Sequence, residues 1–212
     1  QIAADARNVF DFLVSPYRHF ECNKLLVSPY YMRARFEELI DREIRNAKKG
    51  KTAYIYAKFN SLTDEKIISQ LYKASEAGVE IRLIVRGSFC LQPQIEQLSE
   101  NISAISIVDK YLEHSRLVIF HHGGDEQVFI SSADWMTRNL DRRVEVAIPI
   151  MDKSIKKNLM DVFDIQWSDN VKARDLQIFG ANNYVIREND EQACRSQLAL
   201  YDYYKNKQDR NK

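Results

Sequence analysis

The chain has 212 residues, 45% of them hydrophobic, enough to bury a core and too many for a disordered segment. Its 31 Lys and Arg balance 30 Asp and Glu, so an anionic ligand must be attracted by locally placed cations, and nucleic acid is not an expected partner. Cys22, Cys90 and Cys194 form no CxxC pair, and no apolar run is long enough to span a bilayer. A zinc or redox motif is therefore not readable, and a soluble protein of a reducing cytoplasm is expected.

In chain order, Ala6, Val9, Phe10 and Leu13 recur at helical spacing until Ser15-Pro16 closes the segment. The pattern starts almost at Gln1, which suggests a piece of a longer polypeptide whose first helix belongs to an upstream neighbour. Phe36, Leu39, Ile40, Ile44 and Ala47 form a second stripe, ending at Lys48-Lys49-Gly50 with the cations and glycine that suit a helix C-terminus. Residues 52–59 have the β-branched and aromatic content of a strand. A polar break at Asn60–Asp64 precedes the helical residues Ile67, Leu71 and Ala74, Gly78 stops that helix, and residues 79–85 make the next strand. This is the length of a βαβ unit with parallel strands.

Short apolar runs follow at 105–108, 117–120, 128–130 and 144–148, then an amphipathic helix marked by Ile155, Leu159, Val162 and Phe163. The economical fold is α/β, a mixed β-sheet flanked by helices on both faces. The division expected is a leading helix and linker over 1–25, an α/β domain over 26–175, and a C-terminal loop, helix and charged tail over 176–212. In that last part Gly180–Asn183 reads as a loop, Cys194, Leu198 and Tyr201 as a helical stripe, and Lys205–Lys212 as a solvated tail.

Ligands of α/β sheets gather outside the carboxyl ends of the strands. The residues standing there are Lys58 and Asn60, Arg86-Gly87, Glu113-His114-Ser115-Arg116, and Ser131-Ser132-Ala133-Asp134. Guanidinium groups offer phosphate a planar fork, and an imidazole accepts, donates or carries a phosphoryl group. Each has a plain structural alternative: His114 as a surface histidine, Arg86 as a charge at a solvated strand end. His121-His122-Gly123-Gly124 reads as a hairpin loop rather than a metal pair, and Trp135 as a packing anchor rather than a stacking platform. The stretch 134–143, with Arg138, Asp141, Arg142 and Arg143, reads on charge pattern alone as a solvated turn laced with ion pairs.

The order His114-x-Arg116, a strand ending in Ser-Ser-Ala-Asp, and Glu145 on a third strand resembles one half of a phospholipase D-type site. That superfamily usually has Lys at the position of Arg116 and Asp at that of His121. A closer resemblance, to polyphosphate kinase, is carried by Tyr111–Arg116 and the run Ser131–Val146. It continues through Leu83–Gly87, Ala104–Asp109, Trp167–Arg174 and the helix near Leu198–Tyr203, and both departures are shared with that family.

The resemblance implies a phospholipase D-like half, the second of two C-terminal catalytic domains, in an enzyme that reversibly moves the terminal phosphate of ATP onto polyphosphate. It places the phosphorylated histidine in the preceding domain; His19 has the wrong local context for it. His114 matches the family's other essential histidine and Arg86 a basic residue that contacts nucleotide phosphates. Lys58, Asn60, Ser132 and Arg138 join the ATP and polyphosphate contacts by strand-end placement alone. Magnesium is expected with the nucleotide, held by phosphate oxygens and by no carboxylate cage in this segment. Also implied are ADP as the co-product, the upstream domains as partners, a homo-oligomer, and a cytoplasmic location peripheral to the inner membrane face. A phospholipase D-like phosphodiesterase or nuclease half, or a noncatalytic polyanion-binding module, are the alternatives.

Overall fold

A computed structural model of the chain describes residues 1–17, 20–177, 181–188 and 190–209. His19, Gly180 and Arg210–Lys212 lie outside the described residues. The elements in order are α1 (Ile2–Val14), β1 (Leu26–Ser28), α2 (Met32–Ala47), β2 (Tyr54–Phe59), α3 (Glu65–Glu76), β3 (Glu80–Val85), β4 (Ile102–Ile107), β5 (Leu117–Phe120), β6 (Gln127–Ser131), α4 (Thr137–Asp141), β7 (Glu145–Pro149), α5 (Lys153–Trp167), β8 (Ala173–Asp175) and α6 (Ser196–Asp209). One sheet runs β1-β7-β6-β5-β2-β3-β4-β8. Strands β2, β3 and β4 are mutually parallel and every other neighbouring pair is antiparallel.

The parallel centre follows from β2-α3-β3, in which Asp64 caps α3 by accepting the Ile67 amide (3.0 Å). Gly78 ends the helix at φ +90°, a conformation costly to other residues. Alternation along the strands makes two apolar faces. On one, Phe36, Leu39 and Ile40 of α2 and Ile67, Leu71 and Ala74 of α3 cover Ala57, Phe59, Leu83, Val85, Ala104 and Val118. On the other, Phe163 of α5 covers Ile84, Ile105, Leu117 and Ile119. A smaller cluster seats Val9 of α1 against Leu25 and Val27, and the buried Asp5 carboxylate accepts the amides of Lys24 (2.6 Å) and Leu25 (3.0 Å). No described helix is long and apolar enough to cross a membrane.

Three sequence expectations change. Strands β1 and β8 went unread, because three residues are too few to display a period of two. The charged stretch from Lys205 is helical as far as Asp209: the Tyr203 hydroxyl donates to Asp161 (2.9 Å) and Lys207 Nζ to Asn158 (3.0 Å), tying α6 to α5. The stretch 134–143 is more than a solvated turn, since it contains α4 and buries Asn139 and Leu140. Residues 121–124 do form the β5–β6 hairpin loop, with His122, Gly123 and Gly124 at positive φ and the buried Glu43 carboxylate accepting the His122 amide (2.7 Å). Trp135 is wholly buried against Phe36 and Phe59, as a packing anchor would be.

Candidate functional site

Strand direction sets the gathering point. The carboxyl ends of β2, β3 and β4 share one sheet edge with the start of β5, the end of β6 and the start of β7. That edge therefore collects Asn60, Arg86, the 108–116 connection, Ser131–Asp134 and Glu145.

Asp134, 7% exposed, joins three of these ends. Its Oδ1 accepts the Asn60 amide (2.8 Å), the Ser61 amide (3.3 Å) and Arg116 Nε (2.9 Å), while Oδ2 accepts Arg116 Nη2 (3.2 Å). Asn60 then passes the arrangement on, accepting Arg86 Nε on Oδ1 at 2.6 Å. The β2 and β3 ends approach so closely that a Cβ on Gly87 would stand 2.7 Å from the Asn60 carbonyl, so only glycine fits there. Arg86 is half-buried, and its two terminal nitrogens bond to no described residue. A cavity of about 250 Å³ opens beside it, walled by Val108, Asp109, Tyr111 and Glu113.

Lys58 is placed differently. It is 2% exposed, and its Nζ donates to Glu113 (2.6 Å) and Ser115 (3.0 Å). Burial pulls its pKa below the ordinary lysine value, with Glu113 opposing the shift. Glu113 and Ser115 both reach Lys58, whereas Arg116 pairs with Asp134. His114 is exposed, and its imidazole makes no hydrogen bond to a described residue.

Ser132 belongs to a neighbouring cluster. Its hydroxyl donates to Glu145 and accepts the Val146 amide (3.1 Å), and Asn139 Nδ2 donates to the other Glu145 oxygen (2.6 Å). Arg138, on α4, is exposed, and its guanidinium pairs with no described residue. The structure thus brings Lys58, Asn60, Arg86 and the His114 segment together, sets Ser132 beside them, and leaves Arg138 without a contact to the group.

The sequence reading passed over what binds the edge together: the Arg116–Asp134 ion pair and Glu113. Both lay inside motifs that drew notice for other residues, and no local signal marks a pair 18 positions apart. Among the described residues no three His, Cys, Asp or Glu side chains are grouped to hold a metal ion. The carboxylates of the edge are already engaged, Glu113 by Lys58, Asp134 by Arg116 and Glu145 by Asn139 and Ser132.

Comparison with known proteins bears on this geometry. A family model described as polyphosphate kinase C-terminal domain 2 matches residues 25–197. The polyphosphate kinase of Vibrio vulnificus is 50% identical over 206 residues, covering 97% of this chain and 29% of that protein. That of Escherichia coli K12 is 48% identical over 205 residues, 97% of this chain and 30% of its own length. The crystal structure of polyphosphate kinase from Porphyromonas gingivalis superposes with a TM-score of 0.92 at 45% identity, over 98% of this chain and 32% of that one. Nuc from Salmonella typhimurium, a phospholipase D family member, gives a TM-score of 0.51 at 14% identity over 73% of this chain, a likeness of fold. The chain spans about 30% of the length of the curated relatives it matches. With residues 25–197 matched, it belongs to the polyphosphate kinase family and corresponds to the second C-terminal domain.

Proposed function

We propose that this chain supplies one half of a phosphotransfer site that reversibly moves the terminal phosphate of ATP onto inorganic polyphosphate. The histidine that carries the phosphoryl group lies, on this reading, in an upstream domain, and the chain alone is inactive. One observation carries the proposal. Lys58 and Arg116 are consumed by carboxylates, whereas the Arg86 terminal nitrogens and the His114 imidazole, at the same edge, are uncommitted among the described residues.

Phosphoryl transfer spreads negative charge over the equatorial oxygens, and its catalysis is chiefly positioning and electrostatic stabilisation. Arg86, fixed at Nε by Asn60, turns its free nitrogens to the phosphates of the nucleotide. His114 stands opposite the phosphohistidine and holds or protonates the leaving phosphate. Arg138 extends the anion-binding edge, while Ser132, Asn60 and Lys58 act by placement, Ser132 on Glu145, Asn60 on Arg86 and Lys58 on the flanks of His114. Among the described residues no group of His, Cys, Asp or Glu side chains forms a magnesium cage, so magnesium would accompany the nucleotide, held by its phosphate oxygens.

The test is His114→Ala in the full-length enzyme. Polyphosphate synthesis should fall by about 10² to 10⁴, the usual worth of a positioned acid or base, with the melting temperature unchanged. Near-normal turnover would sink the assignment.

A further inference from the structure

His114 is exposed and its imidazole is held by nothing described, yet the chain leading to it is pinned from three sides. The connection from β4 to β5 has no regular structure over residues 108–116, so its conformation must come from tertiary contacts. Two of those contacts come from the start of α6, more than 80 residues away. Arg195 forks onto the Asp109 carboxylate, Nε at 2.8 Å from Oδ2 and Nη2 at 2.7 Å from Oδ1. Gln197 accepts the Tyr111 amide on Oε1 (3.0 Å), and its Nε2 donates to both the Tyr111 carbonyl and Glu113 Oε1 (2.8 Å each).

The other Glu113 oxygen accepts Lys58 Nζ from β2 (2.6 Å) and Gln166 Nε2 from α5 (2.8 Å). Glu113 is thus gripped by β2, α5 and α6 together, and it is the residue immediately before His114. The start of α6 is itself anchored: Asp169 accepts the Ser196 amide (2.8 Å) and hydroxyl (2.7 Å) on one oxygen and the amides of Val171, Lys172 and Ala173 on the other. A bidentate arginine and a two-way amide fix orientation as well as distance.

We propose that Arg195 and Gln197 are positioning residues for His114, acting through the clamped segment Asp109–Glu113. This rests on the function proposed above. Neither side chain needs to touch substrate: the clamp sets where the imidazole stands relative to the transferring phosphate. A displacement of about 1 Å at a reacting group costs on the order of a hundredfold in rate, whereas Arg86 itself is held by Asn60, which lies outside the clamp.

The experiment uses the full-length enzyme carrying Gln197→Leu, which keeps the bulk of the side chain and removes its three hydrogen bonds. The expected result is a fall in kcat of about tenfold or more, with KM for ATP within about twofold of the parent and melting unchanged. A kcat within twofold of the parent overturns the proposal. So does a loss of activity that tracks loss of folded protein in the melting curve, or a fall in kcat matched by a comparable rise in KM. If Gln197→Leu does not fold, Arg195→Lys tests the same clamp, since lysine cannot reproduce the fork on Asp109, and the same split between kcat and KM is expected. His114→Ala is measured alongside: an active His114→Ala enzyme rejects the function, while an inactive one with an unaffected Gln197→Leu enzyme rejects the clamp alone.

Discussion

Arg86 and Lys58 stand on adjacent parallel strands at one sheet edge, and their surroundings give them different work. Lys58 is paired in register with Ile84 and buried, so its charge is tolerable only beside Glu113. Removing Glu113 would strand that charge; removing Arg86 strands none. Arg86→Ala should therefore fold normally and weaken nucleotide binding in the full-length enzyme by about 1.5 to 3 kcal/mol, the worth of a hydrogen bond to a charged group. An unchanged affinity in a nucleotide titration would make Arg86 a purely structural strand-end charge. Strand-end placement and residue type singled out Arg86 and His114 as candidates, and the family resemblance is what assigned them their roles. That Arg116 is spent on Asp134 was not, since a pair is a property of the folded edge and leaves no trace in spacing.

Among the elements, the junction of α2, α3 and α4 turns on Asp64. Beyond capping α3, its carboxylate accepts both terminal nitrogens of Arg33 from α2 (2.8 and 2.7 Å) and the Thr137 hydroxyl from α4 (2.7 Å). Burial pushes its pKa up, but the bonds from Arg33, the Ile67 amide and Thr137 outweigh burial and hold it near about 2, below the ordinary 3.8. A depressed carboxylate adds stability that is complete above the unfolded value and is lost as pH falls through the folded one. The difference of 3.8 and 2 is worth roughly 2 kcal/mol, lost between about pH 5 and pH 1. Denaturant unfolding across that range should show Asp64→Asn missing this share of the acid dependence; a parallel pH profile would contradict it.

The same junction rests on Trp135, whose carbonyl accepts the amides of Thr63 and Asp64 (3.0 Å each). Trp135→Ala should cost about 3 to 5 kcal/mol in denaturant unfolding, as a large buried aromatic does when truncated; a loss below about 1 kcal/mol would mean the cavity collapses. The β2-α3-β3 unit was readable from periodicity and Gly78. Strands β1 and β8 exist only because longer neighbours pair with them, and that information is not local.

At the scale of the whole molecule, the chain is about 30% of the length of its curated relatives, and the function proposed above makes it one face of a two-sided site. Expressed alone, it should fold and make no polyphosphate from ATP, as followed by incorporation of labelled phosphate; robust synthesis would refute the split site. The apolar pattern foretold a mixed sheet with helices on both faces. It did not foretell that α6 closes on the segment before His114, because the polar residues that do so resemble ordinary surface residues until the fold sets them side by side.

The two three-residue strands have a consequence for how copies of this domain meet. At one border, the amides just before β1 are taken by Asp5, and the Val27 carbonyl accepts the amides of Tyr30 and Tyr31. At the other, the outward Asp175 amide donates to Asn183 and the outward Ala173 carbonyl accepts Val185. Among the described residues, neither border presents a run of open main-chain groups long enough to template a foreign strand. Sheet extension between copies is therefore not expected at these two borders.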